Sequence, residues 1–388
     1  MYPDLSYILH ALIGTEPDNG FALIKTFGLF MAFAFVVSSW ILVMEFKRRE
    51  KLGLMHSIQV KQKSNAPMSI LEHAMNGLIG FLLGFKLIYI IGHWSDFTQD
   101  AAAVLLSKSG SIPAGIVVML LYMGFFYFKG QKLRKAHPEE TWVTIHPHQR
   151  VGDITIAAAI SGIIGAKLFA IFESVENIKH FMQDPIAQIL SGSGLAIYGG
   201  LIVAFIFVLN YARKLGIPPW QMMDSGAPAM MIGYAVGRIG CQLSGDGDWG
   251  IPNTNLNPGW IPDFLWASNY AHNVVNDGVA IVGCTWRHCS QLIPPVYPTP
   301  LYEAILAFII TGILWSIRKK LPIPGQLFFI YMILNGIERY FIEKIRVNDK
   351  LDIFGMVESQ ATFLALAFCL VGIGGLVYLQ VRKRKEIA

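Results

Sequence analysis

The chain has 388 residues, of which 54% are hydrophobic and only 15% are charged. Soluble globular domains carry about 25% charged residues, so the composition excludes an ordinary water-soluble protein and indicates a polytopic membrane protein. The formal net charge of +5 does not indicate a nucleic-acid partner, because the basic residues form short clusters between apolar runs. The first twenty residues contain Asp4, Glu16 and Asp18 and lack a basic stretch, so we expect no cleavable signal peptide.

Nine apolar runs are long enough to cross a bilayer as helices. We therefore predict an all-α integral membrane protein with about nine transmembrane helices. The runs lie near 21–45, 72–93, 111–129, 152–173, 195–213, 223–243, 299–317, 325–345 and 358–380.

Clusters of lysine and arginine follow every odd-numbered run, and the other loops are poorer in these residues. Cytoplasmic loops are enriched in lysine and arginine, which predicts an N-terminus outside the cell membrane and a cytoplasmic C-terminus. With this orientation the unusual polar residues of the fifth, sixth and eighth runs collect at the outer face. The clusters lie at 47–51, 129–135, 213–214, 318–320 and 382–385.

An internal repeat links two pairs of runs. Segment 77–87 resembles segment 161–168, and Gly115 stands where the later pair has Gly199 and Gly200. We interpret the earlier pair as an inserted duplicate of the later one, although helices rich in small residues also resemble one another by chance. The predicted organisation is one transmembrane domain over 1–388, with an inserted helix pair at 65–136 that resembles 149–216.

The segment 237–250 at the end of the sixth run is unusual for a membrane protein. It contains Arg238, several glycines, Asp246 and Asp248. Charged groups at membrane depth are costly, so they tend to be paired and functional. The planar guanidinium of Arg238 matches phosphate oxygens, and the glycine at 240 leaves room for a ligand. The segment therefore predicts binding of an anionic lipid head group.

The segment 251–298 is the one sizeable loop, and we expect it to be periplasmic. Its tryptophans predict anchoring at head-group depth, with a role in gripping a substrate as the alternative. Cys284 and Cys289 supply too few ligands for a structural metal, so a disulfide is favoured if the loop faces an oxidising compartment.

Five short segments follow one another over the first run and roughly 150–380. They are Phe27-Gly28-Leu29, Tyr198-Gly199-Gly200-Leu201, Gly237-Arg238-Ile239-Gly240 with Asp246, Tyr297 to Glu303, and Arg339-x3-Glu343-x2-Arg346. In sequence and order they resemble the prolipoprotein diacylglyceryl transferase family of bacterial inner membranes. Removing the inserted pair leaves about seven spans, the family's number.

The chain departs from the family pattern at several polar positions. Tyr198 and Tyr297 stand where the family has histidines, and Phe27 stands where it has a tyrosine. Cys241 and Ser244 replace the two asparagines of the signature. The arginines are kept while neutral polar partners change, which favours a shared anionic lipid ligand over an identical proton path.

The resemblance implies a lipid-transfer reaction at the outer leaflet of the inner membrane. The thiol of a lipobox cysteine in a prolipoprotein signal peptide attacks a glyceryl carbon of phosphatidylglycerol, forming a thioether and releasing glycerol phosphate. The implied partners are phosphatidylglycerol, prolipoprotein signal peptides and membrane lipids, with no cofactor and no metal. This chemistry needs a phosphate clamp, a route for the thiol proton and a lateral opening.

The residues predicted to carry this reaction fall into two groups. Arg238 and Arg339 form the clamp, while Tyr198 and Asp246 are candidates for handling the proton. The structural alternative is that each arginine only pairs with Asp246, Asp248 or Glu343 to hold helices together. Arg346 would then reach either Glu343 one turn away or the solvent. The predicted catalytic residues are Arg238, Arg339, Tyr198 and Asp246, and the predicted substrate-binding residues are Arg238, Gly199, Gly200, Gly240, Glu303, Glu343, Arg346 and Lys167.

Two other functions fit parts of the sequence. A lipid-binding relative without catalysis would explain the replaced histidines. A transporter would explain the duplicated helices and the glycine-broken spans. Against a transporter, the unusual charged residues gather at one face, and no charged relay continues to the cytoplasmic side.

Overall fold

The computed structural model describes residues 1–64, 70–99, 101–134, 139–190, 196–348, 350–353 and 356–387, and it is mainly helical. The helices are α1 (Leu5–Ile13), α2 (Thr26–Lys51), α3 (Ile70–Gly92), α4 (Trp94–Gln99), α5 (Ala101–Leu106), α6 (Ile112–Arg134), α7 (Val151–Phe172), α8 (Val175–Gln183), α9 (Pro185–Leu190), α10 (Ile197–Lys214), α11 (Pro219–Ser244), α12 (Asp263–Trp266), α13 (Thr299–Ile317), α14 (Gln326–Glu343) and α15 (Gln360–Ile387). The strands are β1 (Ile58–Ser64), β2 (Glu139–Ile145), β3 (Val279–Ala280), β4 (Ser290–Gln291), β5 (Lys350–Ile353) and β6 (Met356–Ser359).

The predicted class of an all-α polytopic membrane protein is confirmed. Each predicted apolar run coincides with one of the long helices α2, α3, α6, α7, α10, α11, α13, α14 and α15. That α10, α11 and α14 also cross the membrane stays a prediction. The helices long and apolar enough to span a bilayer, among the described residues, are those at Thr26–Lys51, Glu72–Gly92, Ile112–Lys129, Pro147–Phe172, Thr299–Ile317 and Gln360–Arg384.

The chain divides into two compact units. The first unit comprises Met1–His56, Pro147–Thr155 and Leu209–Ala388, and the second comprises Ser57–His146 and Ile156–Val208. In the first unit, α11 packs against α2 and α13, and α14 packs against α15. Small side chains let these helices approach closely, because a Cβ at Gly336 would lie 2.7 Å from the carbonyl oxygen of Ala365. The core of this unit contains Ala227, Met231, Ala235, Ala307, Leu314 and Leu327.

In the second unit, a two-stranded ribbon flanks the predicted insertion. Strand β1 pairs with β2 in antiparallel register from Ile58 with Ile145 to Ser64 with Glu139. The predicted bounds at 65 and 136 lie outside the described residues, but the paired strands on either side bring the two ends of the segment together. Because β1 and β2 are paired, the segment between them can be inserted without separating the residues that precede β1 from those that follow β2.

The two helix pairs of the second unit share equivalent contacts. The backbone N–H of Ser111 donates to the carbonyl of Phe85 at 2.9 Å, and the N–H of Ala196 donates to the carbonyl of Ala166 at 3.0 Å. A Cβ at Gly165 would lie 2.5 Å from Cβ of Val203, as one at Gly84 would lie 2.6 Å from Cβ of Val118. These shared contacts support our interpretation of a duplication.

Loop 251–298 forms a buried centre together with the preceding Trp249. Trp249 packs against the fully buried Tyr270 with ring centroids 5.1 Å apart. Cys284 and Cys289 are joined by a disulfide. The side chain of Trp260 is 79% exposed, so it contributes nothing to this centre and is available for the predicted contact with head groups.

A buried ionic cluster lies at the end of these helices opposite to the predicted site. Glu45 at the end of α2 is fully buried and accepts from Arg318 at 2.7 Å and from Arg48 at 2.6 Å. Asp224 of α11 accepts from the backbone N–H groups of Gly325 and Phe328 at 2.8 and 3.0 Å, at the start of α14. Our expectation that the unusual charges gather at one face is therefore wrong, because Glu45 of α2 and Asp224 of α11 lie at the other end of the helices. Arginines neutralise the charge of Glu45, and backbone N–H groups satisfy Asp224.

Candidate functional site

Six charged side chains meet where α11 and α14 end and α13 begins. All belong to the first unit, and together we call them the arginine cluster. Three are arginines and three are carboxylates, so the cluster is formally neutral when all six are ionised. Its members are Arg238 of α11, Asp248 of the following loop, Glu303 of α13, Arg339 and Glu343 of α14, and Arg346 just beyond α14.

Glycines shape the turn that carries Asp248 into the cluster. Gly245 ends α11 in the left-handed conformation (φ 63°), and its N–H donates to the carbonyl of Cys241 at 3.0 Å. Gly247 also has a positive φ, of 99°. The N–H of Asp248 then donates to the carboxylate of Asp246 at 3.3 Å. The chain thus turns sharply back at the end of α11, and the Asp248 side chain points toward the arginines.

Gly250 and Ile251 connect the loop after α11 to the start of α13 and the end of α14. Gly250 donates its N–H to the carbonyl of Tyr297 at 2.9 Å, and Ile251 donates to the carbonyl of Ile345 at 2.9 Å. A Cβ at Gly250 would lie 2.5 Å from the Ile345 carbonyl oxygen, so only glycine fits there. The Thr299 hydroxyl donates to the carbonyl of Asp248 at 2.8 Å. These bonds fix Asp248 relative to α13 and α14.

Glu303 is the hub of the arginine cluster. Its carboxylate is fully buried and contacts all three arginines: Arg238 through Nε, Arg346 Nη1 at 3.0 Å and Arg339 Nη1 at 3.4 Å. The Tyr234 hydroxyl donates to the same carboxylate at 2.7 Å. Charge-assisted hydrogen bonds of this kind are the strong ones, so Glu303 sets the spacing between the guanidinium groups.

Two further carboxylates complete the cluster. Asp248 contacts Arg238 through one oxygen and Arg346 Nη2 at 2.8 Å through the other. Glu343 contacts Arg339 Nη2 at 2.8 Å. Burial acts to raise the pKa of Asp248, but the positive charges of Arg238 and Arg346 outweigh it and hold that pKa below its ordinary value.

The ion pairs of Arg346 and Glu343 differ from those expected from helical spacing. Arg346 bridges Glu303 and Asp248, while the partner of Glu343 among the arginines is Arg339, one turn earlier on α14. Arg346 is also the most buried of the three, with 8% of its side chain exposed against 20% for Arg339. The expected pair between Arg346 and Glu343 is therefore wrong, because Arg346 lies beyond the last helical turn and folds back over the cluster.

Asp246 lies beside the cluster. Burial raises its pKa above the ordinary value, and the neighbouring negative charge of Asp248 adds to this rise. A ligand atom of Asp246, one of Asp248 and the sulfur of Cys241 lie within 4.8 Å of one another, a spacing that suits a metal ion. However, Arg238 Nη1 contacts Asp248 and lies 3.8 Å from the Cys241 sulfur, and its positive charge disfavours a cation there.

The predicted glycine at position 240 makes a helix contact. A Cβ there would lie 2.7 Å from Cβ of Phe30, so the absent side chain lets α11 approach α2. This contact supports a packing role for Gly240 beside any role in leaving room for a ligand.

Four predicted site residues lie in the second unit. A Cβ at Gly199 would lie 2.2 Å from Phe169, and a Cβ at Gly200 would lie 2.9 Å from the carbonyl oxygen of Gly162. Both glycines therefore face α7. Lys167 Nζ lies 3.3 Å from the carbonyl oxygen of Gln188, much as Lys86 contacts backbone carbonyls in the first helix pair. Tyr198 is half-buried near the start of α10. A shared site for these residues and the arginine cluster stays a prediction.

Two residues of the site were missed at the level of the sequence. Tyr234 stands one helical turn before Arg238, a spacing that puts both on one face of α11, and its ring lies 5.2 Å from the Arg238 guanidinium. Glu338 directly precedes Arg339, and it is 5% exposed. A second glutamate beside the R-x3-E-x2-R run was a visible signal, but nothing in the spacing showed that its side chain turns inward.

Comparisons with known proteins agree on one family. The sequence model described as prolipoprotein diacylglyceryl transferase matches residues 115–378, which include the whole arginine cluster. The chain is 29% identical over 263 residues to the phosphatidylglycerol–prolipoprotein diacylglyceryl transferase of Leptospira interrogans, covering 60% of this chain and 70% of that protein. The protein of the same name from Bacillus cereus is 28% identical over 256 residues (64% and 82%), and that from Corynebacterium efficiens is 29% identical over 238 residues (60% and 69%).

Proposed function

The chain belongs to the prolipoprotein diacylglyceryl transferase family, and on that basis we propose that it transfers the diacylglyceryl group of phosphatidylglycerol to the thiol of a lipobox cysteine in a prolipoprotein. The thiol sulfur forms a bond to a glyceryl carbon, and the bond from that carbon to the phosphate oxygen breaks. Glycerol phosphate leaves with the electron pair. The product is a thioether, and the reaction is the first step of lipoprotein maturation.

The observation that carries this proposal is the arginine cluster. Asp248 bridges Arg238 and Arg346 with its two oxygens, as a phosphate would, and it is the most exposed carboxylate of the cluster, at 36%. We expect the lipid phosphate to take its place. Glu303 is fully buried and holds the guanidinium groups in position, so the clamp is organised before the lipid arrives. Donors fixed in a site of low dielectric stabilise the charge that builds on the leaving phosphate.

Arg339 completes the clamp from the other side of Glu303. Among the arginines it has the most exposed side chain, and its described contacts use Nη1 and Nη2 toward Glu303 and Glu343. An arginine has five N–H donors, so two paired contacts leave donors for a phosphate oxygen. Arg238 and Arg339 thus keep the roles predicted for them, with Arg346 beside them as a third, more deeply buried partner.

Asp246 is the proton acceptor in this proposal. A cysteine thiol has a pKa of about 8.5, and a carboxylate with a raised pKa accepts its proton more readily than an ordinary one. Burial raises the pKa of Asp246 beside the clamp. Tyr198, whose hydroxyl is a poor base, instead donates a hydrogen bond to the phosphate or the glycerol hydroxyl. The thiol proton therefore passes to Asp246 as the sulfur attacks.

The proposed location is the bacterial inner membrane, with the N-terminus periplasmic and the C-terminus cytoplasmic. The cluster lies at the ends of α11 and α14 and the start of α13. The basic residues that follow the odd-numbered runs support a position of these ends at the outer leaflet. Phosphatidylglycerol and the signal peptide of a prolipoprotein would both reach the cluster laterally from the bilayer.

The experiment is a lipidation assay with purified protein, phosphatidylglycerol vesicles and a lipobox peptide, followed by peptide mass. We expect the mass to rise by one diacylglyceryl group, and the rise to vanish when the peptide cysteine is replaced by serine. Folded protein that binds phosphatidylglycerol without modifying the peptide would support the non-catalytic alternative. Lipid-independent solute flux in proteoliposomes would support the transporter instead.

A further inference from the structure

A loop beside the arginine cluster exposes apolar side chains and turns polar ones inward. The two ends of the stretch 253–266 lie together. The N–H of Asn253 donates to the carbonyl of Pro295 at 2.8 Å, and the side-chain amide of Asn253 donates to the carbonyl of Trp266 at 2.8 Å. A compact surface loop of this length with adjoining ends is an Ω-loop. We call 253–266 the Ω-loop and 256–264 its tip.

The polar side chains of the Ω-loop form bonds inside it. Asn253 is 3% exposed. The amide of Asn257 donates to the carbonyl of Ile261 at 2.8 Å and to the carboxylate of Asp263 at 2.7 Å. The N–H of Gly259 donates to the Asn257 side chain at 3.1 Å. These bonds satisfy polar groups of the tip internally, as a segment needs when lipid replaces the water around it.

The large apolar side chains of the tip are exposed instead. Leu256, Trp260 and Phe264 have exposed fractions of 95%, 79% and 65%. Asp263 is the only aspartate, glutamate, lysine or arginine in the stretch 251–276. Large apolar side chains grouped on a surface mark an interaction site, and the scarcity of charge favours an apolar partner over a charged one.

The Ω-loop is attached to a helix that is suited to a bilayer. The hydroxyl of Tyr302, near the start of α13, donates to the carbonyl of Leu265. Ile305 and Ile309 follow Tyr302 by three and seven residues, so all three lie on one face of α13. Both isoleucines are exposed, and α13 is long and apolar enough to span a membrane. The Ω-loop therefore adjoins the face that α13 presents to lipid.

One short stretch of chain holds both the Ω-loop and the arginine cluster. The carbonyl of Val296 accepts from the N–H of Ser268 at 2.9 Å, just beyond the end of the loop. Three residues after Val296, the hydroxyl of Thr299 donates to the carbonyl of Asp248 at 2.8 Å. A lipid phosphate bound in place of the Asp248 carboxylate is thus close to the base of the Ω-loop.

We propose that the tip of the Ω-loop is immersed in the outer leaflet and contacts the acyl chains of the phosphatidylglycerol bound at the arginine cluster. This inference rests on the proposed function and adds to it a surface for the apolar part of the lipid. The clamp binds the phosphate while the tip binds the chains. Long acyl chains are favoured over short ones, because the gain grows with the apolar area removed from water.

The first measurement locates Trp260 relative to the lipid. The protein is labelled with fluorotryptophan and reconstituted into nanodiscs of phosphatidylglycerol and phosphatidylcholine. The fluorine resonance of Trp260 is assigned by its loss in Trp260→Phe. We expect a lipid with a nitroxide on its acyl chain to broaden this resonance strongly, and a gadolinium chelate in the water to broaden it weakly. Trp249, which is 8% exposed, is the internal control for both agents.

The second measurement tests whether this contact acts on the substrate. Lipidation of a lipobox peptide is followed with long-chain and with short-chain phosphatidylglycerol. The proteins are the wild type, the tip variant Leu256→Ser/Trp260→Ser, and the control Val282→Ser, which changes a fully exposed apolar residue outside the tip.

The quantity compared is the KM for long-chain lipid divided by the KM for short-chain lipid. We expect this ratio to rise about tenfold in the tip variant, because its serines lose apolar contact with the chains. In Val282→Ser the ratio should equal that of the wild type. A change that only disturbs the fold would alter both KM values alike and leave their ratio constant.

Two outcomes would overturn the inference. One is a Trp260 resonance that the aqueous chelate broadens and the nitroxide lipid does not, because the tip would then face water and suit a water-soluble protein partner. The other is a wild-type KM ratio in the tip variant. The resonance is measured in the wild type, so it decides the matter even if the tip variant does not fold. Peptide product together with either outcome rejects only this inference, whereas absence of product in the wild type rejects the proposed function.

Discussion

Replacing Glu303 by glutamine tests whether a buried carboxylate holds the arginine cluster together. The wild-type carboxylate contacts Arg346 at 3.0 Å, Arg339 at 3.4 Å and Arg238 through Nε, and it accepts from the Tyr234 hydroxyl at 2.7 Å. A glutamine keeps one acceptor oxygen, but its NH2 group faces guanidinium donors. Removing one partner of a buried ion pair costs about 3–5 kcal/mol, and we expect a loss of stability in that range.

The same substitution should lower activity without preventing insertion. Every arginine keeps a second carboxylate, because Arg238 and Arg346 retain Asp248 and Arg339 retains Glu343. The guanidinium groups therefore stay in the cluster but lose the shared carboxylate that fixes the spacing between them. A displacement of about 1 Å in a positioned group costs about 100-fold in rate, which is the decrease that we expect in the lipidation rate.

The assay compares initial lipidation rates and thermal unfolding in detergent for the wild type, Glu303→Gln and Glu358→Gln. The control removes the charge of Glu358, a partly exposed glutamate, and should leave both quantities near their wild-type values. A Glu303→Gln variant with the wild-type rate and unfolding temperature would refute the reasoning, because the arginines would then be positioned without their hub.

Three further predictions concern the clamp, the tyrosine and the outer loop. Arg238→Ala and Arg339→Ala should each abolish lipidation while membrane insertion, checked by fractionation, continues. Tyr198→Phe should retain measurable but reduced activity if its hydroxyl donates a hydrogen bond, and full activity would remove the hydroxyl from the mechanism. Burial lowers the pKa of His288, whose ring nitrogens have no partner among the described residues. Above a pH of about 6.5 His288 is neutral in both the folded and the unfolded state. Below that pH the unfolded chain binds the proton first, so the unfolding temperature of the wild type should decrease as the pH is lowered. This decrease should be smaller in His288→Asn.

The helices of this protein follow from composition because each apolar run is long enough to satisfy its own backbone in a bilayer. The run at 325–345, for example, is α14 at Gln326–Glu343 in the structure. The ribbon formed by β1 and β2 was not predicted, since it depends on pairing between distant segments. The helix α8 was not predicted because it has only 9 residues and does not form an apolar run.

The candidate site was predicted only in its parts. The arginines stand out in the sequence because charges in apolar runs are rare. Their partners do not, since the contacts of Glu303 join residues as far apart as 238 and 346. The sequence offered Glu343 as the partner of Arg346 by helical spacing, but α14 ends at Glu343 and the spacing no longer applies beyond it. Helix ends are where local periodicity loses its predictive value.

The opposite ionic cluster shows a second limit. Arg318 appears in the sequence as part of a cytoplasmic basic run, yet its Nε contacts Glu45, a residue 273 positions earlier. Basic residues that set the orientation of a membrane protein thus also serve to pair helices, and composition alone does not separate the two uses.

The most direct measurement of the central claim is the ratio of glycerol phosphate released to peptide lipidated in one reaction. Purified protein, phosphatidylglycerol and the lipobox peptide would be incubated together, and both products quantified over time. Our account predicts that the two products appear in equal amounts and that both vanish in Arg339→Ala. Consumption of phosphatidylglycerol with no change in peptide mass would contradict it, because the cluster would then cleave or bind the lipid without transferring it.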